Sequence, residues 1–173
     1  MAVWLWCFVW YSFLGYLLEK AFAAFTDSPR QTRKGFWLLP LCPVYGLAML
    51  LILWQVPNPD ELPLGWLIPV CAVLATMTEY GVDWWYDTFF GVRFWDYSGQ
   101  AFQLNGRVCL CFSLIWGVLA TLALRWIQPV WQSLAEQIPP LWSYLLLLVL
   151  TADTVCSGQI LRHSHDTERL SWR

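Results

Sequence analysis

L-G-W-L-I-P-V-C-A-V-L-A-T-M-T-E-Y-G-V-D-W, from Leu64 to Trp84, carries no charge until Glu79 and is long enough to cross a bilayer as a helix. A carboxylate at membrane depth costs roughly 2.5–3.5 kcal/mol on insertion scales unless it is protonated, paired or wet. The same segment therefore gives both the fold class and the first candidate site. Working outward, further apolar runs lie at about residues 2–25, 36–56, 108–127 and 141–160. The chain reads as an all-α integral membrane bundle of about five transmembrane helices, with residues 1–173 forming a single transmembrane domain. Composition agrees: 58% of residues are hydrophobic and 13% charged, mean hydropathy is +0.48, and soluble domains average about 25% charged. Short loops leave no room for a soluble catalytic domain. The first run lacks a basic lead and a small-residue cleavage site, so a retained helix is expected there. Pro40 and Pro43 are expected in the first turns of the second span and Pro69 early in the third, where neighbouring helices absorb a missing N–H.

The basic residues orient the bundle. Arg30, Arg33, Lys34, Arg93, Arg107, Arg162, Arg169 and Arg173 fall on one side, and Arg125 on the other beside Asp60 and Glu61. By the positive-inside rule the N-terminus is outside and the C-terminus cytoplasmic. Fourteen Trp, seven Tyr and ten Phe cluster near span ends, as in an aromatic belt at the headgroups rather than a substrate-stacking surface.

Five acids stand in or at the ends of apolar runs: Glu19, Glu79, Asp83, Asp87 and Asp153. Glu79, Asp83 and Asp87 are spaced i, i+4, i+8 and form one stripe, tolerable only with cations opposite, bound protons or water at its lower end. An ion-pair network and a transport pathway both fit it. Glu79 is the deepest of the three. Ser12, Gly15 and Glu19 share a face on which small residues permit close helix approach. Asp153, within T-A-D-T-V-C-S, faces the bundle or a cavity rather than lipid. Between spans three and four, F-W-D-Y-S-G-Q-A-F-Q-L-N-G-R-V-C-L mixes Asp96 and Tyr97 with an Asn105-Gly106 turn. Arg107 then opens span four, placed to pair with Asp96, Glu79 or Asp83, or to bind an anionic headgroup.

Other chemistry finds little support. The six cysteines contain no C-x-x-C and read as buried, inert thiols, while His163 and His165 sit in a polar tail. No metal site and no cofactor are expected. The chain has no G-x-x-x-x-G-K-[ST] and no hydrolase motif, and nothing in it points to nucleic acid.

Six segments carry a family resemblance: S-F-L-G-Y-L-L-E (Ser12 to Glu19), K-G-F-W-L-L-P-L-C-P-V-Y-G (Lys34 to Gly46, including Tyr45), Glu79-Tyr80, F-W-D-Y-S (Phe94 to Ser98), N-G-R-V-C-L (Asn105 to Leu110) and Trp116-Gly117. In this order, over roughly residues 8 to 157, they resemble the type IV ABC-transporter permease family of small bacterial membrane proteins. The resemblance implies a multi-pass protein of the bacterial inner membrane and a transport role. If the system is ABC-type, a separate ATPase subunit has to supply the nucleotide chemistry.

Three functions stay open. The first is a transport component, its polar cavity lined or braced by Glu19, Glu79, Asp83, Arg107 and Asp153, with Ser12, Tyr45, Asp96, Tyr97 and Asn105 in support. The second is a structural or regulatory partner subunit, and the third an intramembrane enzyme acting on a lipid-like substrate. Five helices are few for a complete path, so a homodimer or hetero-complex is expected, with Gly15, Gly46 and Gly117 as close-approach points.

Overall fold

Where apolar runs exceed about 20 residues without an internal breaker, they form unbroken helices. The computed structural model describes residues 2–26 and 34–170; Arg30, Arg33 and Arg173, used in orienting the bundle, lie outside that range. Among the described residues there are five helices: α1 (Ala2–Phe25), α2 (Pro43–Gln55), α3 (Leu64–Phe90), α4 (Leu110–Glu136) and α5 (Pro140–Ser164). All but α2 are long and apolar enough to cross a membrane.

The expected second span, Phe36 to Val56, is corrected. Only its second part is helical, and the 13 residues of α2 rise about 20 Å, short of a hydrocarbon core of about 30 Å. The prolines explain the loss, since each disfavours helical backbone in the residue before it. Cys42, ahead of Pro43, is extended (φ −108°, ψ 95°). Pro40 thus lies outside the helix, and Pro43 begins it. Most N–H groups of the non-helical lead find acceptors within the protein, as burial of backbone demands. Cys42 N–H donates to Ser12 O at 2.9 Å and Gly35 N–H to Leu41 O at 3.1 Å. Asp153 accepts from Trp37, Leu38 and Leu39 N–H at 3.0, 2.9 and 2.7 Å.

The fourth span is corrected at both ends. Val108 and Cys109 form a short strand, β2, antiparallel to β1 (Gln103–Leu104). The Asn105-Gly106 turn expected there is present: both residues take positive φ (55° and 67°) and Arg107 N–H donates to Leu104 O at 3.0 Å. At the other end the helix does not stop at Ile127. A π-helical turn over Ala123–Ile127 lets Gln128 N–H reach Ala123 O, and the helix continues past Pro129.

Packing follows the small residues. A Cβ on Gly15 would collide with the Tyr45 ring, one on Gly46 with Ser12 Oγ, and one on Gly117 would come within 2.6 Å of Ala72 Cβ. These glycines serve α1–α2 and α3–α4 contacts within the chain, not the contacts between subunits expected of them. The largest buried cluster joins Cys7 and Tyr11 of α1, Met49 and Ile52 of α2, Leu67 and Cys71 of α3, and Ala120 and Leu124 of α4. α5 rests on α1 through Leu150, Leu5 and Phe8.

Candidate functional site

Beyond this core, toward the C-terminal end of α1, the four-helix packing opens. A cavity of about 550 Å³ lies between α1, α2, α3 and α4. Its walls are aliphatic and aromatic, including Leu14, Val44, Met49, Ile52 and Trp116, and two carboxylic side chains, Glu19 of α1 and Glu79 of α3, stand in them. Both are buried, and each accepts a tyrosine hydroxyl. Tyr45 of α2 donates to Glu19 Oε1 at 2.6 Å, and Tyr97 of the loop after α3 donates to Glu79 Oε1 at 3.0 Å. The Tyr45 ring meets Trp116 edge-on at 5.4 Å, and Tyr97 stacks on Phe112 at 5.1 Å, so both hydroxyls are held by packed rings.

The loop after α3 closes one end of this space. Trp95 lines the cavity, and its indole N–H donates to Arg107 O at 2.8 Å. Arg107 pairs with Asp83 and, at 2.5 Å, with Asp87, while Arg93 Nε lies 3.3 Å from Asp83. The acid stripe on α3 therefore divides. Asp83 and Asp87 meet cations, and Glu79 meets Tyr97. Of the three partners expected for Arg107, Asp83 is the one it takes, and Asp87 joins it. The hydrogen bond to Asp87, then that to Asp83, raises the guanidinium further above its ordinary range. Asp96 instead accepts Ser98 N–H and Oγ at 2.9 and 3.0 Å, which holds its carboxyl below the usual range. Asn105 donates to Tyr80 OH at 2.9 Å.

Asp153 is placed elsewhere. It is buried on α5 against the non-helical lead to α2, and Ser157 Oγ adds a bond at 3.1 Å to the three backbone donors. Of the five candidates, Glu19 and Glu79 share the cavity, Asp83 and Arg107 form the ionic cluster beside it, and Asp153 braces a loop. Ser12 is fully buried at the α1–α2 contact. Four cysteines are buried as expected, but Cys111 and Cys156 are exposed on helix surfaces. His163 and His165 donate to Gln159 O and Phe90 O at 2.8 and 2.6 Å.

Sequence reasoning missed Gln128, buried in α4, which accepts the Tyr11 hydroxyl at 2.9 Å. The available signal was a polar residue directly after the apolar run of residues 108–127, just beyond the expected end of the fourth span. Arg93 was counted for charge alone, although it follows α3 closely enough to fold back on Asp83.

Residues 6–158 match the family described as "Putative ABC-transporter type IV". No curated relative and no solved structure matches the chain.

Proposed function

The chain belongs to this type IV ABC-transporter family, a multi-pass membrane protein related to transport, and from that premise we propose that it is a permease component whose working site is the cavity holding Glu19 and Glu79. The observation that carries this reading is that two carboxylic side chains from different helices stand in the walls of one cavity. Such groups are costly at membrane depth and mark substrate or proton paths when they face an interior space. A carboxyl group here exchanges a proton or takes up a cationic group as the bundle rearranges, and the two tyrosine hydroxyls follow its protonation by reorienting.

In this reading the Asp83–Arg107–Asp87 cluster holds the hairpin over one end of the cavity, and Asp153 fixes the lead to α2. The excess of Lys and Arg on one side supports an N-terminus outside, a cytoplasmic C-terminus and a place in the bacterial inner membrane. The sequence has no phosphate-binding loop, which supports an ATPase on a separate subunit in a hetero-complex or dimer.

Proteoliposomes with a pH dye inside test the reading. Wild type dissipates an imposed proton gradient faster than empty vesicles, and Glu79→Gln and Glu19→Gln each slow it about tenfold, equivalent to about 1.4 kcal/mol. Equal rates for all four preparations overturn it. The ionic cluster and the Asp153 brace favour a second reading, a structural partner subunit. Under it Glu79→Gln lowers the unfolding temperature and leaves every flux unchanged.

A further inference from the structure

The cavity is open on one side, between exposed apolar residues of α1 and α4 of the kind a bilayer covers. α1 packs against α2 and against the last part of α4, whereas its middle stands away from α4. The gap is bounded at one end by Trp10 on Trp131, with centroids 4.4 Å apart, and at the other by Phe22 edge-on to Phe112 at 6.1 Å. Between these stops Leu18, Leu119 and Leu122 line the cavity and are also exposed on the outer surface. The π-helical turn of α4 begins at Ala123, another wall residue, and such turns recur at functional sites. A volume of about 550 Å³ falls in the range of small-molecule sites, about 300–1,000 Å³. Water entering such walls would leave apolar surface wetted, whereas a hydrocarbon chain sliding in from the bilayer would not. The polar groups in the wall include the Glu19 and Glu79 carboxyls, which when ionised only accept hydrogen bonds, and the Tyr11 and Tyr45 hydroxyls, which already donate, to Gln128 and to Glu19, as Tyr97 does to Glu79.

We propose that the cavity takes the apolar chain of a single-chain membrane amphiphile, entering sideways between α1 and α4, whose head donates hydrogen bonds to Glu19 and Glu79. The inference rests on the cavity being the working site and names its substrate class. An anionic head is disfavoured by the two acids, and a hydroxyl or an ammonium head supplies the donors.

The experiment reconstitutes the full chain in phosphatidylcholine vesicles containing a dodecanol, a dodecylammonium or a dodecanoate probe, each with a photoactivatable diazirine at the chain end. Labelled positions are mapped by peptide mass spectrometry. The alcohol, the ammonium or both are expected to label cavity positions such as Trp116 and Leu119, and excess unlabelled dodecanol or dodecylammonium competes. Labelling by one donor head alone identifies which source the site uses. The fillers Ala48→Phe and Ala123→Phe, from opposite walls, each abolish cavity labelling, and the Glu19→Gln/Glu79→Gln pair lowers it about tenfold. Should either filler fail to fold, the competition arm decides with the wild-type protein. Equal labelling by dodecanoate overturns the proposal, and so do adducts spread without competition over outward residues such as Val73, Met77 and Leu148. Proton flux read in the same vesicles separates the two ideas. Flux that still depends on Glu79, with unselective labelling, discards the amphiphile and leaves the permease reading standing.

Discussion

Replacing Asp153 by Ala removes a buried acceptor for three consecutive backbone N–H groups. Trp37 N–H keeps Ser157 Oγ, so Asp153→Ala strands the Leu38 and Leu39 N–H groups and, with about 1–3 kcal/mol for each buried group left unsatisfied, is expected to cost at least about 2 kcal/mol. Ser157→Ala, which loses a bond shared with Trp37 N–H, costs about 1 kcal/mol. Thermal unfolding in detergent reads both, and an unchanged midpoint for Asp153→Ala contradicts the brace. Lys34 adds a pH dependence. Its Nζ donates to Trp37 O at 2.6 Å, and burial, opposed by the Asp153 charge, lowers its pKa from 10.5 to about 8. Between those values the unfolded chain binds more protons than the folded one, so stability rises with pH across that window and is flat below it. The wild-type unfolding midpoint is expected to gain on that of Lys34→Met from pH 8 to 10, and a constant difference contradicts this. That Asp153 faces the protein interior was legible from its Thr and Ser neighbours. Its partners were not, because they are main-chain groups and leave no mark in side-chain pattern.

Elements are held by the small residues and charges at their crossings. Arg107 ties the hairpin to α3 through Asp83, which is fully buried, and Asp87. Removing one partner of a buried pair strands the other, so Arg107→Ala costs about 3 kcal/mol and exposes the loop from Gly91 to Leu110 to limited proteolysis. Asp83→Asn/Arg107→Met, which removes both charges, recovers most of the stability. Loss as large in the double variant as in Arg107→Ala shows that the pair does not hold the hairpin. Hydrophobic runs revealed α1, α3 and α5 because period and length suffice for an uninterrupted helix. They overestimated α2, since Leu39-Pro40 and Cys42-Pro43 fall in equally apolar sequence and a hydrophobicity count does not register the backbone they forbid. They ended α4 early for the converse reason, as the π-helical turn accommodates Pro129. The i, i+4, i+8 stripe placed Glu79, Asp83 and Asp87 on one face correctly, but only the fold separates Glu79, turned to the cavity, from the two that meet Arg107.

At the scale of the molecule, the void adjoins the largest buried cluster, and Met49 and Ile52 belong to both. α1 and α4 meet at the two ends of the gap and diverge between them, so a small change in their angle opens or closes the exposed side of the void without disturbing the core at Leu67 and Cys71. Glu19 and Glu79 are the two candidates that the fold brings to this void, whereas Asp153 lies behind the lead to α2. Convergence of helices distant in sequence is a tertiary property, and it was open to inference only as the expectation that isolated acids seek an interior.

The most direct test is cross-linking across the cavity. In a background with the six native cysteines replaced, cysteine pairs at 19 and 79, 19 and 153, and 79 and 153 are treated in membranes with a short bifunctional thiol reagent. The 19–79 pair is expected to be bridged within one chain while both pairs that include position 153 stay open. Bridging of a pair that includes 153 with 19–79 unbridged, or no bridging of 19–79 in folded protein, contradicts the shared cavity on which the account stands.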